Sequence, residues 1–418
     1  MKYVVVIVAG AADEPVEALD GRTPLEVAET PNLSRLASAG RVGCAWTIPE
    51  DVGASPEVGA MSVLGYDPLE HACGRAGLEA VAAGVEFGAG ERVWRLSFAS
   101  VDEQGVVLES AARGLTEAEG RALAVDLLAF WSRECGESGL ELVVSAAARQ
   151  LLVDRSARWG VTVTTPPAAM VGEPVGAHAP SGGGAGRLKA LVERGHGFLS
   201  EHEVNLARVE QGLPAANLPW LWGAGEGVRL ENFQKRFGKR GLVFSGDEAV
   251  AGLAISAGMD RLPVFCGLEE DPLGLGALAE GVSDGLRRAD LVCCYVGDAL
   301  DASLRGDWLT KVRVLEEVDR QLIGPVMSDL SEQYGDPAVD PGSEGWRLLV
   351  IPDCTASSTT RRVLGDEVPF VMGGAWVRSA VKRRFIERDS VESDLQVEEG
   401  HLLMEYFLRG GLAGVRAR

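Results

Sequence analysis

Histidine and cysteine, side chains suited to proton transfer, nucleophilic attack and soft-metal binding, are few in this chain of 418 residues. Its five histidines, His71, His178, His196, His202 and His401, are scattered without ligand-like spacing, so each reads as a structural or solvated residue. Its seven cysteines, Cys44, Cys73, Cys135, Cys266, Cys293, Cys294 and Cys354, are odd in number and form no C-x-x-C pair. A disulfide framework or a structural zinc site is therefore not expected. Ser55 is followed by Pro56, whose ring fixes its own φ and biases the serine toward extended geometry. The glycine-rich PSGGGAG at 180–186 lacks the lysine and the serine or threonine of a phosphate loop and reads as flexible surface.

The elements that must position any site alternate in type. The runs YVVVIV near the start, LVFS at 242–245, LVCCYV at 291–296 and WRLLVIPD at 346–353 read as strands buried on both faces. Helical patterns lie between them: Pro31–Ala39 behind Thr30, Asp247–Ala257 behind Ser245, and Trp308–Leu322 behind Asp307 as its N-cap. That alternation is α/β architecture with a mainly parallel sheet flanked by helices. The middle differs. WRLSFASVDEQGVVLES suggests a hairpin, Thr116–Phe130 a helix, SAAARQLLVD and GVTVTTPP further strands, and 187–194 and 200–211 two more helices. The reading is a discontinuous core, 1–90 with 214–418, and an α+β cap inserted at 91–213.

A formal net charge of −21 disfavours nucleic acid and anionic membrane surfaces, which need a basic footprint. No apolar run reaches the roughly 18 residues of a membrane span, and the opening apolar run reads as a buried first strand, not as a signal peptide. A cytoplasmic protein is expected. Trp220 and Trp222 read as filling for a core or seam.

Three segments carry a family resemblance: GRTPLEVAETPNLSRLASAGRVG at 21–43, VLGYDP followed by GRAGLEA between 63 and 80, and GLPAANLPWLWGAGEGVRLENFQKRFGKRGLVFS at 212–245. Together they resemble the archaeal-type cofactor-independent phosphoglycerate mutases of the alkaline phosphatase superfamily, over nearly the full length. The resemblance implies an alkaline-phosphatase-like core and a reaction in which two divalent metals activate a serine that passes a phosphoryl group between neighbouring hydroxyls. It also implies which positions carry that chemistry. The family's first loop holds Gly-Asp-Gly where this chain has Val8-Ala9-Gly10, so Ala9 stands in a ligand's place. The family's Ser-Asp-Val-Ala-Asn becomes Pro56-Glu57-Val58-Gly59-Ala60, so proline stands in the nucleophile's place. Its Asp-Glu-Ala-Gly-His-Asp becomes Leu300-Asp301-Ala302-Ser303-Leu304-Arg305, and its Asp-His pair becomes Asp353-Cys354. Two prolines followed by His-Asp are here followed by Ala168-Ala169. The lysine of the helix after LVFS appears as Ala251, and a histidine after Arg149 as Gln150.

What the resemblance leaves is arginine and scaffold. Arg75, Arg95, Arg113, Arg149 and the pair Asn205 and Arg208 match family positions, and guanidinium groups hold phosphate or carboxylate without a metal. The expectation is a family member without metal-dependent phosphoryl transfer, with no cofactor, that binds a phosphorylated or carboxylated metabolite or serves a protein partner. The rival expectation is a working phosphotransferase or phosphatase with a shifted site. It would be built from Ser55 with Asp13, Glu57, Asp298, Asp301, Asp353 and Cys354 around Mn²⁺ or Mg²⁺.

Overall fold

A computed structural model describes residues 1–71, 73–145, 149–157, 159–262, 264, 271–378, 381–409 and 416–417. Cys266 lies outside these residues. The chain forms two compact units, one made of 1–72 with 229–418 and the other of 73–228.

The larger unit is built on a nine-stranded sheet. Its order is Asp260–Leu262, Gly241–Ser245, Leu291–Val296, Lys2–Val8, Trp346–Ile351, Val368–Gly374, Arg41–Ala45, Leu395–Val397 and Arg416–Ala417. The first five strands run parallel, with Val4 level with Val292 on one side and Leu348 on the other. Val368–Gly374 is antiparallel to both its neighbours. The four apolar runs read from the sequence are thus neighbours in the parallel half, and their near-total burial is what continuous β-branched runs between two helical layers require. Pro31–Ala39 forms the expected helix, but Thr30 does not cap it with its side chain. Its free amides at Asn32 and Leu33 are taken instead by the Asp319 carboxylate at 3.0 and 2.7 Å. Asp319 lies in the π turn Val318–Ile323 that ends the Trp308–Glu317 helix, so the predicted helix to Leu322 changes type where this contact is made.

The smaller unit packs helices on an antiparallel sheet ordered Val107–Glu109, Arg92–Val101, Gln150–Asp154 and Leu140–Val144, with Leu218–Gly225 on the other side of Arg92–Val101. The hairpin forms as read. The helix is Glu117–Cys135, opened by a capping box of Thr116 and Glu119 and carried a turn past Phe130 because buried Trp131 extends its apolar face. The unit takes in more chain than 91–213: Leu218–Gly225 pairs with Arg92–Val101, and helix Arg75–Ala82 packs on that strand. The run SAAARQLLVD is a strand only from Gln150, and Ala146–Ala148 lie outside the described residues.

Candidate functional site

Parallel strands deliver their carboxyl ends to one edge of a sheet, where ligands of open α/β folds bind. At that edge of the larger unit the loop after Trp346–Ile351 presents Asp353, with no exposed surface. Its Oδ1 accepts the Gly10 N–H at 2.9 Å, and its Oδ2 accepts the Tyr295 hydroxyl at 2.9 Å. The Cys354 thiol lies 3.2 Å from Oδ1. Burial pushes the Asp353 carboxyl up to about 6 despite these donors. Burial, reinforced by Asp353, raises the Cys354 thiol well above its ordinary value.

The loop after Lys2–Val8 closes on the same place. Ala9 is fully buried, and a Cβ placed on Gly10 would lie 2.8 Å from the Ala356 Cβ and 3.0 Å from the Leu300 Cα. Helix Pro56–Val63 comes closer still: a Cβ on Gly59 would lie 1.8 Å from the Asp353 carbonyl oxygen, which also accepts the Thr47 hydroxyl at 2.6 Å. Ser55 caps that helix in extended backbone, φ −155° and ψ 153°, and its hydroxyl makes no capping bond. Glu57 is buried within the helix.

Asp13, on the loop after Lys2–Val8, is already paired. Its carboxylate accepts the Lys311 ammonium at 2.8 Å, both side chains having no exposed surface, and the Ser358 hydroxyl at 2.6 Å. Lys311 also donates to the carbonyls of Ala12 and Ala356, so one buried cation ties together the loops after two core strands. Burial lowers the Lys311 ammonium below its ordinary value, and Asp13 opposes that shift. Beside the pair, Glu387 accepts the Asp13 N–H at 3.1 Å and the Thr23 hydroxyl at 2.7 Å, and burial lifts its carboxyl to about 7.

Helix Asp298–Arg305 follows the LVCCYV strand. Asp298, at its start, is half-buried and raised by that burial; Asp301, Leu304 and Arg305 are exposed, and Leu300 turns inward. Ala251 is buried in helix Glu248–Ser256. Among the described residues no group of three or more His, Cys, Asp or Glu converges as a metal site.

In the smaller unit two of the predicted arginines come together. Arg75 Nε lies 2.9 Å and Arg95 Nε 3.3 Å from the two oxygens of buried Glu79, and the Arg95 guanidinium lies 4.7 Å over the Trp222 ring. Both guanidinium groups are partly exposed. Arg113 is exposed beside Glu109, and Arg149 is exposed with its N–H on the Ser145 hydroxyl. Asn205 and Arg208 serve the fold: Asn205 bonds Leu199 O and both backbone groups of Ala216, and buried Arg208 donates to the carbonyls of Arg113, Gly114 and Pro214. Ala168 and Ala169 are exposed in the turn Pro167–Met170.

The residues that organise the core edge, Lys311, Tyr295, Glu387, Ser358 and Thr23, were not singled out from the sequence. Lys311 carried a readable signal, because it shares a helical face with Val314, Leu315 and Val318, all buried. A lysine on the apolar stripe needs a buried partner.

A parallel-rich sheet with its loops gathered at one edge, interrupted by an inserted α+β unit, defines the alkaline-phosphatase-like class of α/β proteins. Within it, residues 37–205 match the family model described as 2,3-bisphosphoglycerate-independent phosphoglycerate mutase. The chain is 32% identical over 98% of its length, and the whole of the relative's, to the 2,3-bisphosphoglycerate-independent phosphoglycerate mutase of Methanothrix thermoacetophila. It is also 32% identical, over 98% of its length and 97% of the relative's, to such a mutase of Methanothermobacter thermautotrophicus. The chain belongs to the 2,3-bisphosphoglycerate-independent phosphoglycerate mutase family. Its fold is shared with a solved Pyrococcus horikoshii protein, at a TM-score of 0.72 and 22% identity over 97% of this chain and 96% of that one. It is also shared with the cofactor-independent phosphoglycerate mutase of Thermoplasma acidophilum, at 0.56 and 23% over 98% and 99%. No helix among the described residues is long and apolar enough to cross a membrane.

Proposed function

We propose that this family member binds a small phosphorylated carboxylate through Arg75 and Arg95 and does not carry out metal-dependent phosphoryl transfer. The observation that carries the reading is the state of Asp353: both carboxylate oxygens already accept hydrogen bonds from neutral donors, Gly10 N–H and Tyr295 O–H. A divalent ion needs several oxygen or nitrogen donors converging in fixed geometry. The residues here do not fit that need. Ala9, Leu300 and Leu304 offer no donor, Arg305 repels a cation, Asp13 is already paired with Lys311, and Cys354 is buried against Asp353. Pro56 has no hydroxyl to attack phosphorus, and no step is assigned to a metal.

Arg75 and Arg95 supply what recognition of an anion requires. Their planar donors are pre-oriented by Glu79 and by stacking on Trp222, which lowers the ordering cost of gripping a phosphate or carboxylate. Calorimetric titration with 3-phosphoglycerate in the presence of EDTA tests this reading. Saturable binding that weakens at least about tenfold in Arg95→Met, the loss of one charge-assisted contact, is the expected result. Absence of binding, or binding only after a divalent cation is added, would refute it.

A further inference from the structure

The five-stranded sheet of the smaller unit ends on the strand Leu140–Val144. Its one neighbour is Gln150–Asp154, in an antiparallel register that sets Leu142 opposite Leu152. The bonds from Arg155 N–H to Gly139 O and from Ser145 N–H to Arg149 O fix which pairs are hydrogen-bonded. By the alternation of an antiparallel ladder, the backbones of Glu141 and Val143 then face Gln150–Asp154, while those of Leu140, Leu142 and Val144 face outward. Among the described residues nothing bonds to these outward N–H and C=O groups.

Exposed sheet edges are ordinarily blunted by lysine, proline or a bulge. This strand, LELVV, has no lysine or proline and keeps a regular register throughout. Its one charge, Glu141, is held by Arg155 Nε at 2.7 Å. Leu140 and Leu142 pack on one core of the unit and Val143 on another, so both faces hold the strand in place.

We propose that this edge pairs with the same strand of a second copy of the chain, antiparallel about a two-fold axis through Leu142. The strand is complementary to itself in that register. Leu142 meets Leu142 and Leu140 meets Val144, so every outward donor of one copy faces an outward acceptor of the other. Glu141 falls opposite Val143, which keeps like charges from meeting directly across the join. The match in hydrogen bonding, length and charge is what selects a second copy over an unrelated peptide.

Sedimentation of the full chain over a range of concentrations, with amide hydrogen exchange at both ends of that range, tests the proposal. The expected result is a monomer–dimer equilibrium in which the amides of Leu140, Leu142 and Val144 gain protection with concentration, while those of Glu141 and Val143 are protected throughout. Leu142→Pro removes an outward N–H and no bond of its own sheet, so the fold is retained and dimerisation weakens by about tenfold or more. A monomer at every concentration, or a dimer whose Leu142 amide exchanges as freely as in the monomer, overturns the proposal. Exchange on the unmodified chain decides the matter if the proline variant does not fold.

Discussion

The hydroxyl of Tyr295 reaches past the end of the central strand Lys2–Val8 to donate to Asp353 Oδ2 at 2.9 Å, joining the two strands that flank it. With the Gly10 amide on Oδ1, both oxygens of this buried carboxylate accept a hydrogen bond from a neutral donor. The bond closes the carboxyl edge of the sheet from within.

Tyr295→Phe leaves the buried Oδ2 without its donor. An unsatisfied buried acceptor costs about 1–3 kcal/mol, and that loss is expected in urea unfolding at pH 7. Unchanged stability would show that Asp353 does not depend on this phenol.

Stability is predicted to fall as pH rises toward neutrality. Burial raises Asp353 from 3.8 to about 6 and Glu387 from 4.5 to about 7, so each holds its proton more tightly folded than unfolded. Between those values the folded state binds more protons, and the stability these groups contribute at low pH is lost as pH passes through the folded values. Thermal melts should therefore show a lower Tm at pH 7 than at pH 5, and Glu387→Gln should remove the upper part of that slope. A slope unaffected by the substitution contradicts the assignment.

Lys311→Met strands the Asp13 carboxylate in the core. Breaking one side of a buried ion pair costs about 3–5 kcal/mol, whereas Lys311→Met with Asp13→Leu should recover much of it because no unpaired charge is left. Equilibrium unfolding of both variants measures the difference.

Gly59→Ala drives a methyl group into the Asp353 carbonyl oxygen, and overpacking of this kind costs about 1–3 kcal/mol or more. Gly53→Ala, where a Cβ meets nothing within 4 Å, should change stability little by comparison.

The sheet was legible because continuous runs such as LVCCYV and WRLLVIPD have one low-energy fate, a strand covered on both faces. The candidate site was less legible. Ala9, Pro56 and Arg305 are visible as residue types in a pattern, whereas Tyr295, Lys311 and Glu387 act through contacts with positions far away in the chain. Arg208 shows the converse. Its type suits anion binding, but the carbonyls of Arg113, Gly114 and Pro214 reach it only once the fold has formed. The contact of Asp319 with the amides of Asn32 and Leu33 was hidden for the same reason, since a helix N-terminus can borrow its cap from any neighbour.

Metal content measured together with mutase turnover tests the central claim most directly. The chain, purified, saturated with Mn²⁺ and freed of excess, is predicted to retain no stoichiometric metal and not to convert 3-phosphoglycerate to 2-phosphoglycerate. Two bound cations per chain with turnover that disappears in Ser55→Ala would contradict the account.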